Sequence, residues 1–162
     1  MDNLMDDLIN TASLEETKKR AIRILGNRSF SEKEMAQRLV QKGESKENAE
    51  ETAQWLVELG YINDSDYATS IVRHYSLKGY GEARVRDELY KRGIPRDMWE
   101  EKLAELESDE LGDAAIQFLQ KKLRGSTDDK DLRRATDALV RRGFSYSDAR
   151  LAINTYLDEH SE

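Results

Sequence analysis

Residues 39–43, 89–93 and 139–143 read LVQKG, LYKRG and LVRRG. The shared element is Leu-x-x-[Lys/Arg]-Gly, and its copies stand 50 residues apart, with Gly43, Gly93 and Gly143 closing them. A base followed by glycine is a helix ending: the cation meets the negative end of the helix dipole, and glycine takes the left-handed cap. The agreement extends in both directions. Forward, Glu44, Ile94 and Phe144 align, then Ser45, Pro95 and Ser145, then Ala49, Trp99 and Ala149, then Ala53, Leu103 and Ile153. Backward, Met35, Val85 and Ala135 align, Phe30 pairs with Tyr80, and Ile22 pairs with Val72. The corresponding stripe in the third copy, Ala115-Ile116, Leu119 and Lys122, lies six residues early, which predicts an insertion in a loop from Leu123 to Asp131. A fixed period of this size signals stacked supersecondary units that bury their apolar stripes within themselves and against neighbours.

The rest of the chain reads as helix. It has one proline and nine glycines, apolar residues recur at threes and fours, and sustained strand alternation is absent. Ser13-Leu-Glu-Glu16 and Ser31-Glu-Lys-Glu34 read as capping boxes. Ser45, Asp64, Ser108 and Ser145 read as further N-caps, and Pro95 fits a first-turn position. The fold class is therefore all-α, with three tandem three-helix repeats over 14–63, 64–107 and 108–162 behind an acidic N-terminal extension, 1–13. In that extension Leu4, Met5, Leu8 and Ile9 either form an amphipathic turn docked on the first repeat or stay loose.

Composition removes whole classes of chemistry. The 162 residues contain no cysteine and two histidines, His74 and His160. That excludes disulfides, thiol catalysis and cysteine-ligated clusters, and no histidine sits in a catalytic or metal-binding pattern. Asp128, Asp129 and Asp131 resemble the start of a calcium loop but lack its glycine and closing glutamate. The abundant carboxylates, such as Glu50-Glu51 and Glu100-Glu101, read as solvated helix faces, and Trp55 and Trp99 as core. No enzyme, cofactor or metal site is expected. The acidic N-terminus is unlike a secretory leader and no apolar run reaches the roughly 20 residues needed to span a bilayer. A soluble, cytoplasmic protein is expected.

The charges are unevenly spread. The chain carries 26 Lys+Arg against 33 Asp+Glu, a net −7. Arg73 to Arg96 nevertheless holds seven bases and three acids, and Lys121 to Arg150 nine bases and five acids, each a local +4. Arg84 and Lys91, and Arg134 and Arg141, are seven apart, so each pair shares a helix face. Repeated basic faces suit phosphates or an acidic protein surface, and internal salt bridging accounts for them equally well. Tyr75, Tyr80 and Tyr90 lie among these bases; the first two align with Leu25 and Phe30 and read as core.

The central stretch Gly60-Tyr-Ile-Asn-Asp64, Tyr67-Ala68, Lys78-Gly-Tyr-Gly81 and Arg84-x-Arg86-x-x-Leu89-x-x-Arg92-Gly93-Ile94 resembles the signature of RecX proteins. Ala21-Ile-Arg-Ile-Leu25, Arg28, Ser31-Glu-x-Glu34-Met-x-x-Arg38-Leu39 and Lys42-Gly43 are similar to the family's first unit, and Val140-Arg-Arg-Gly-Phe144 to its third. The resemblance covers about residues 17 to 157 and implies tandem three-helix units in an elongated, curved, solenoid-like body. It also implies a negative regulator of the RecA recombinase in DNA repair, recombination and the SOS response. Such a regulator binds RecA filaments on single-stranded DNA and lowers ATPase, strand-exchange and coprotease activity without catalysis of its own. On this reading Arg84, Arg86, Lys91, Arg92, Arg141 and Arg142 are the first contact candidates for RecA or DNA, followed by Lys78 and Arg134, with weak affinity for DNA alone and a monomeric state. The alternative is a helical regulator acting directly on duplex DNA through the helix–glycine turn–helix at Glu82 to Leu103.

Overall fold

The computed structural model describes residues 2–106 and 110–161. All regular structure among them is helical. The α-helices are α1 (Asp2–Leu25), α2 (Glu32–Gln41), α3 (Lys46–Glu58), α4 (Asp64–Leu77), α5 (Glu82–Lys91), α6 (Glu100–Leu106), α7 (Glu110–Leu123), α8 (Asp129–Arg141) and α9 (Tyr146–His160). The chain forms two compact units. The first comprises the chain through Tyr67 together with Arg92–Pro95, and the second comprises Ala68–Lys91 and the chain from Arg96 onward.

In the first unit α1, α2 and α3 pack around Ala21, Met35, Leu39, Ala53, Leu56 and Ile62. Met35, Leu39 and Leu56 are wholly buried, each worth about 1.5–3 kcal/mol of transfer free energy. In the second unit Val72, Val85, Leu89, Trp99 and Leu103 are buried. There α7, α8 and α9 close around Leu119, Ala135, Leu139, Phe144, Ile153 and Tyr156.

The capping signals sort cleanly. Ser31 forms a complete capping box with Glu34, and Ser45 and Ser145 accept from the amides of Asn48 and Asp148. The Ser13 box does not form: Ser13 lies inside α1, which runs unbroken through it. No glycine or proline interrupts the chain before Gly26. Thr11 is absorbed by bonding its hydroxyl back to the Asp7 carbonyl, 2.7 Å away. The extension is therefore helix, and Leu4, Met5, Leu8 and Ile9 remain 60–71 % exposed rather than docked. Asp64 is not the cap of α4; Asn63 Oδ1 accepts the Asp66 N–H at 3.0 Å in that role. Pro95 precedes a 3₁₀ turn, Arg96–Met98, and α6 starts only at Glu100. Ser108 lies outside the described residues. The insertion in the third repeat is mostly helical. α8 has 13 residues where α2 and α5 have 10, and the loop itself shortens to 124–128.

Two of the period-50 turns are closely embraced by their surroundings. In the first unit the turn at Arg92–Gly93 meets the start of α2: Ser31 Oγ donates to the Arg92 carbonyl, and a Cβ on Gly93 would fall 2.5 Å from Lys33 Cδ. In the second unit the turn at Arg142–Gly143 meets the start of α5. Gly81 N–H donates to the Arg142 carbonyl at 2.9 Å and Ala83 N–H to the Gly143 carbonyl at 3.0 Å. A Cβ on Gly143 (φ +100°) would sit 2.6 Å from the Arg84 backbone nitrogen. The Arg142–Gly143 turn thus supplies acceptors to amides at the start of α5, which have no intrahelical partner, while the Arg92 carbonyl holds the hydroxyl of the α2 cap residue.

Candidate functional site

The basic residues of the second unit start from α5, where acids and bases alternate at helical spacing. Arg86 meets Glu82 at 2.6 Å, Arg84 meets Glu88 at 3.4 Å, and Lys91 meets the same Glu88 at 3.7 Å. The shared partner puts Arg84 and Lys91 on one face, as their spacing predicts. Arg86 also lies over the buried Trp99 ring at 5.4 Å. Arg84 and Arg142 both approach a single residue, with guanidinium carbons 5.2 and 4.9 Å from the centre of the half-buried Tyr80 ring. Arg142 further approaches Phe118 at 4.6 Å. Cation–aromatic contacts of this kind contribute about 0.5–2 kcal/mol, more as they lose water.

In the first unit Arg92 plays the part that Arg142 plays in the second. Its guanidinium donates to the Tyr67 hydroxyl at 2.5 Å and lies 5.6 Å from that ring's centre, while its carbonyl serves the α2 N-terminus. Burial pushes the Tyr67 hydroxyl above the ordinary tyrosine pKa, against the lowering effect of the Arg92 hydrogen bond. Arg92 and Arg142, equivalent by the 50-residue period, are joint residues of the architecture.

The eight candidates therefore divide by environment. Arg84, Arg86, Arg92 and Arg142 are half-buried and engaged, whereas Lys78, Lys91, Arg134 and Arg141 are exposed. Tyr75 and Tyr80 are half-buried with ring centres 5.6 Å apart, and Tyr90 is exposed with its ring perpendicular to that of Trp99, 5.4 Å between centres. No cluster of three or more His, Cys, Asp or Glu able to hold a metal exists among the described residues. None of their helices is long and apolar enough to cross a membrane.

Sequence reasoning put one residue at the wrong helix and passed over one region. Asp64 is nearly buried, and its Oδ1 accepts the Glu32 N–H at 3.0 Å, so it caps α2 from 32 residues away. Burial raises its carboxyl above the ordinary carboxylate range, the Glu32 amide lowers it, and the charge of Glu34 raises it again. The region is a cleft of about 600 Å³ between the end of α1 and α2, with Arg23, Arg28, Arg38 and Lys42 at its edges. A signal for it exists: Lys18 to Lys42 holds eight bases and two acids, a larger excess than either window chosen from the sequence.

Comparison with known proteins bears on both units. A sequence model described as "RecX, second three-helix domain" matches residues 63–103, and one described as "RecX, third three-helix domain" matches residues 109–153. The chain is 30 % identical over 146 residues to a regulatory protein RecX of Vibrio vulnificus (strain CMCP6), covering 89 % of this chain and 95 % of that one. It is 36 % identical over 128 residues to the RecX of Deinococcus radiodurans, covering 78 % of this chain and 61 % of that one. Among solved structures, RecX from Lactobacillus salivarius matches 93 % of this chain and 97 % of its own, with a TM-score of 0.78 at 21 % identity. That likeness speaks to the fold.

Proposed function

The chain belongs to the RecX family of regulatory proteins, and from that premise we propose that it is a negative regulator of the RecA recombinase. It binds RecA filaments on single-stranded DNA and lowers their ATPase, strand-exchange and coprotease activities, acting in the cytoplasm as a monomer by binding alone. The observation that carries this reading is the set of exposed bases on equivalent helices: Lys91 on α5, and Arg134 and Arg141 on α8, with Lys78 just before α5. A filament repeats its surface from protomer to protomer, and a protein that repeats its own charges meets it with several weak contacts that add. Arg84, Arg86, Arg92 and Arg142 hold the helices that present those charges.

The test is RecA's ATPase on single-stranded DNA, titrated with wild type and with the variant K78E/K91E/R134E/R141E. Exposed charge contacts contribute about 0.5 kcal/mol each, so four losses raise the half-inhibitory concentration about 30-fold. Undiminished inhibition by a variant of unchanged helicity refutes the assignment. Tight, sequence-selective duplex binding without RecA would establish the alternative instead. That reading is the weaker one, because Arg84 and Arg86 on its recognition helix are half-buried and already ion-paired within the helix.

A further inference from the structure

The two halves of α1 present opposite faces. In the second half Thr17 and Ala21 are wholly buried and Ile24 packs against the core of the first unit. In the first half Leu4, Met5, Leu8 and Ile9 lie in solvent. At about 100° per residue, these two sets stand roughly 160° apart around the helix axis. The exposed apolar face therefore points away from the unit that α1 packs against. α1 is continuous through Ser13, so the face cannot turn back without breaking the helix. A single exposed leucine is ordinary, but four adjacent large apolar residues on one face call for a cover.

The same face stays open along the whole helix. Ile22, 55 % exposed, is in phase with Leu4 and Leu8, and Glu15, Lys19 and Arg23 on that side are exposed too. The 24 residues of α1 make this face about 36 Å long. Its charge is split. Residues 2–13 hold three acids and no base, −3, and residues 14–25 hold four bases and two acids, +2. That distribution suits the helix's own dipole, and it also makes the helix complementary to a reversed copy of itself. The acids of the first half repel anionic lipid and nucleic acid.

We propose that α1 is a self-association surface, on which two copies of the chain pair antiparallel, each apolar N-terminal half lying along the basic C-terminal half of the other. In one register Met5 stacks on Ile22 of the second copy and Leu8 on the aliphatic stem of its Lys19. A parallel pair would set −3 against −3; the antiparallel one sets −3 against +2 at both ends. The three-helix bodies lie on the outer sides of the two helices, because the core face of α1 is turned away from the shared one. The arrangement is two-fold and closes at two copies. A face of about ten residues falls short of the 20–30 per side of a standard interface, so the pair is weak, with a dissociation constant between about 10 µM and 1 mM. This goes beyond the recombinase reading, in which the monomer acts: pairing withdraws chains from that form as their concentration rises.

The experiment is sedimentation equilibrium of the full chain from about 1 µM to about 1 mM, joined to disulfide trapping. The chain has no cysteine, so introduced thiols report without ambiguity. Wild type is expected to pass from monomer to dimer with no larger species, and added salt to weaken the dimer. L4Q/M5Q/L8Q/I9Q keeps good helix formers on α1 and is expected to raise the dissociation constant more than about 100-fold. K19E/R23E is expected to raise it about tenfold. Under mild oxidation M5C/I22C is expected to give a covalent dimer and M5C alone none, because the two copies of position 5 stand about 25 Å apart in this register. A wild type that stays monomeric throughout overturns the proposal and leaves the face to a different protein. A dimer untouched by the fourfold variant overturns it as well. So do an open-ended series of oligomers and trapping of M5C alone as fast as M5C/I22C. Far-UV circular dichroism checks that each variant is folded, and none of these readouts involves RecA.

Discussion

Gly143→Ala and Gly43→Ala make a matched pair that isolates the energy of one close approach. Both glycines hold φ of +100°, so each alanine carries the same left-handed strain of about 1–2 kcal/mol. Their surroundings differ. A Cβ on Gly43 would meet nothing within 4 Å, whereas one on Gly143 would stand 2.6 Å from Arg84 N and 2.8 Å from Arg84 Cβ. The first neighbour is backbone and the second is fixed to it, so neither can swing aside. The turn must draw back from α5, and the bonds from Gly81 N–H and Ala83 N–H to the turn carbonyls stretch or break. At about 1 kcal/mol each, their loss adds about 2 kcal/mol. Gly143→Ala is therefore expected to cost about 3–4 kcal/mol and Gly43→Ala about 1–2. The gap of about 2 kcal/mol corresponds to roughly 4–8 °C in Tm for a chain of this length. Urea unfolding followed by far-UV circular dichroism measures it. Hydrogen exchange at Ala83 locates it, with protection lost in Gly143→Ala and kept in Gly43→Ala. Equal destabilisation by the two substitutions, with Ala83 equally protected in both, refutes the reasoning.

Ser31→Ala removes both the α2 cap and the hydroxyl bond to the Arg92 carbonyl, and is expected to cost about 2 kcal/mol. Ser45→Ala, an exposed cap without a second bond, is expected to cost about half as much in the same unfolding assay. Asp64→Asn tests a pH dependence. Because burial raises the native carboxyl pKa, the folded state keeps this proton to higher pH than the unfolded chain does. The group's stabilising contribution is thus full below the unfolded value and lost as pH rises through the native one. Asp64→Asn keeps an acceptor for the Glu32 amide and removes the proton. Urea midpoints are expected to show a smaller loss of stability from acid to neutral pH than in wild type; an unchanged slope contradicts the assignment.

How far the sequence could be read follows from the range of the interactions involved. The turns at Gly43, Gly93 and Gly143 were legible because a left-handed cap imprints itself on neighbouring residues, and the period repeats the imprint. Ser31, Ser45 and Ser145 were legible for the same local reason. Ser13 misleads because Ser-x-x-Glu is equally acceptable in the middle of a helix, and only the lack of any breaker between Asp2 and Leu25 distinguishes the two cases. The role of Asp64 is invisible locally, since its partner amide is 32 residues away. Among the basic residues, charge counting found the helices but not the environments. Arg84 and Lys91 have the same spacing as Arg134 and Arg141, yet Arg84 is half-buried with Glu88 and Tyr80 while Arg134 is exposed. The cleft at α1 and α2 left a charge signal in Lys18 to Lys42, but which of those bases border one concavity is settled only when the two helices pack.

The seat of Ser31 has a consequence for how the chain comes into being on the ribosome. Its hydroxyl partner, the Arg92 carbonyl, is made 61 residues later. At about 5–20 residues per second, α2 waits roughly 3–12 s for that acceptor, and meanwhile its N-terminus has only the Ser31–Glu34 box. The Gly143 turn makes the start of α5 wait in the same way. Each helix is completed from downstream, so nascent chains stalled before Arg92 should expose α2 to protease, and chains extended past Pro95 should protect it.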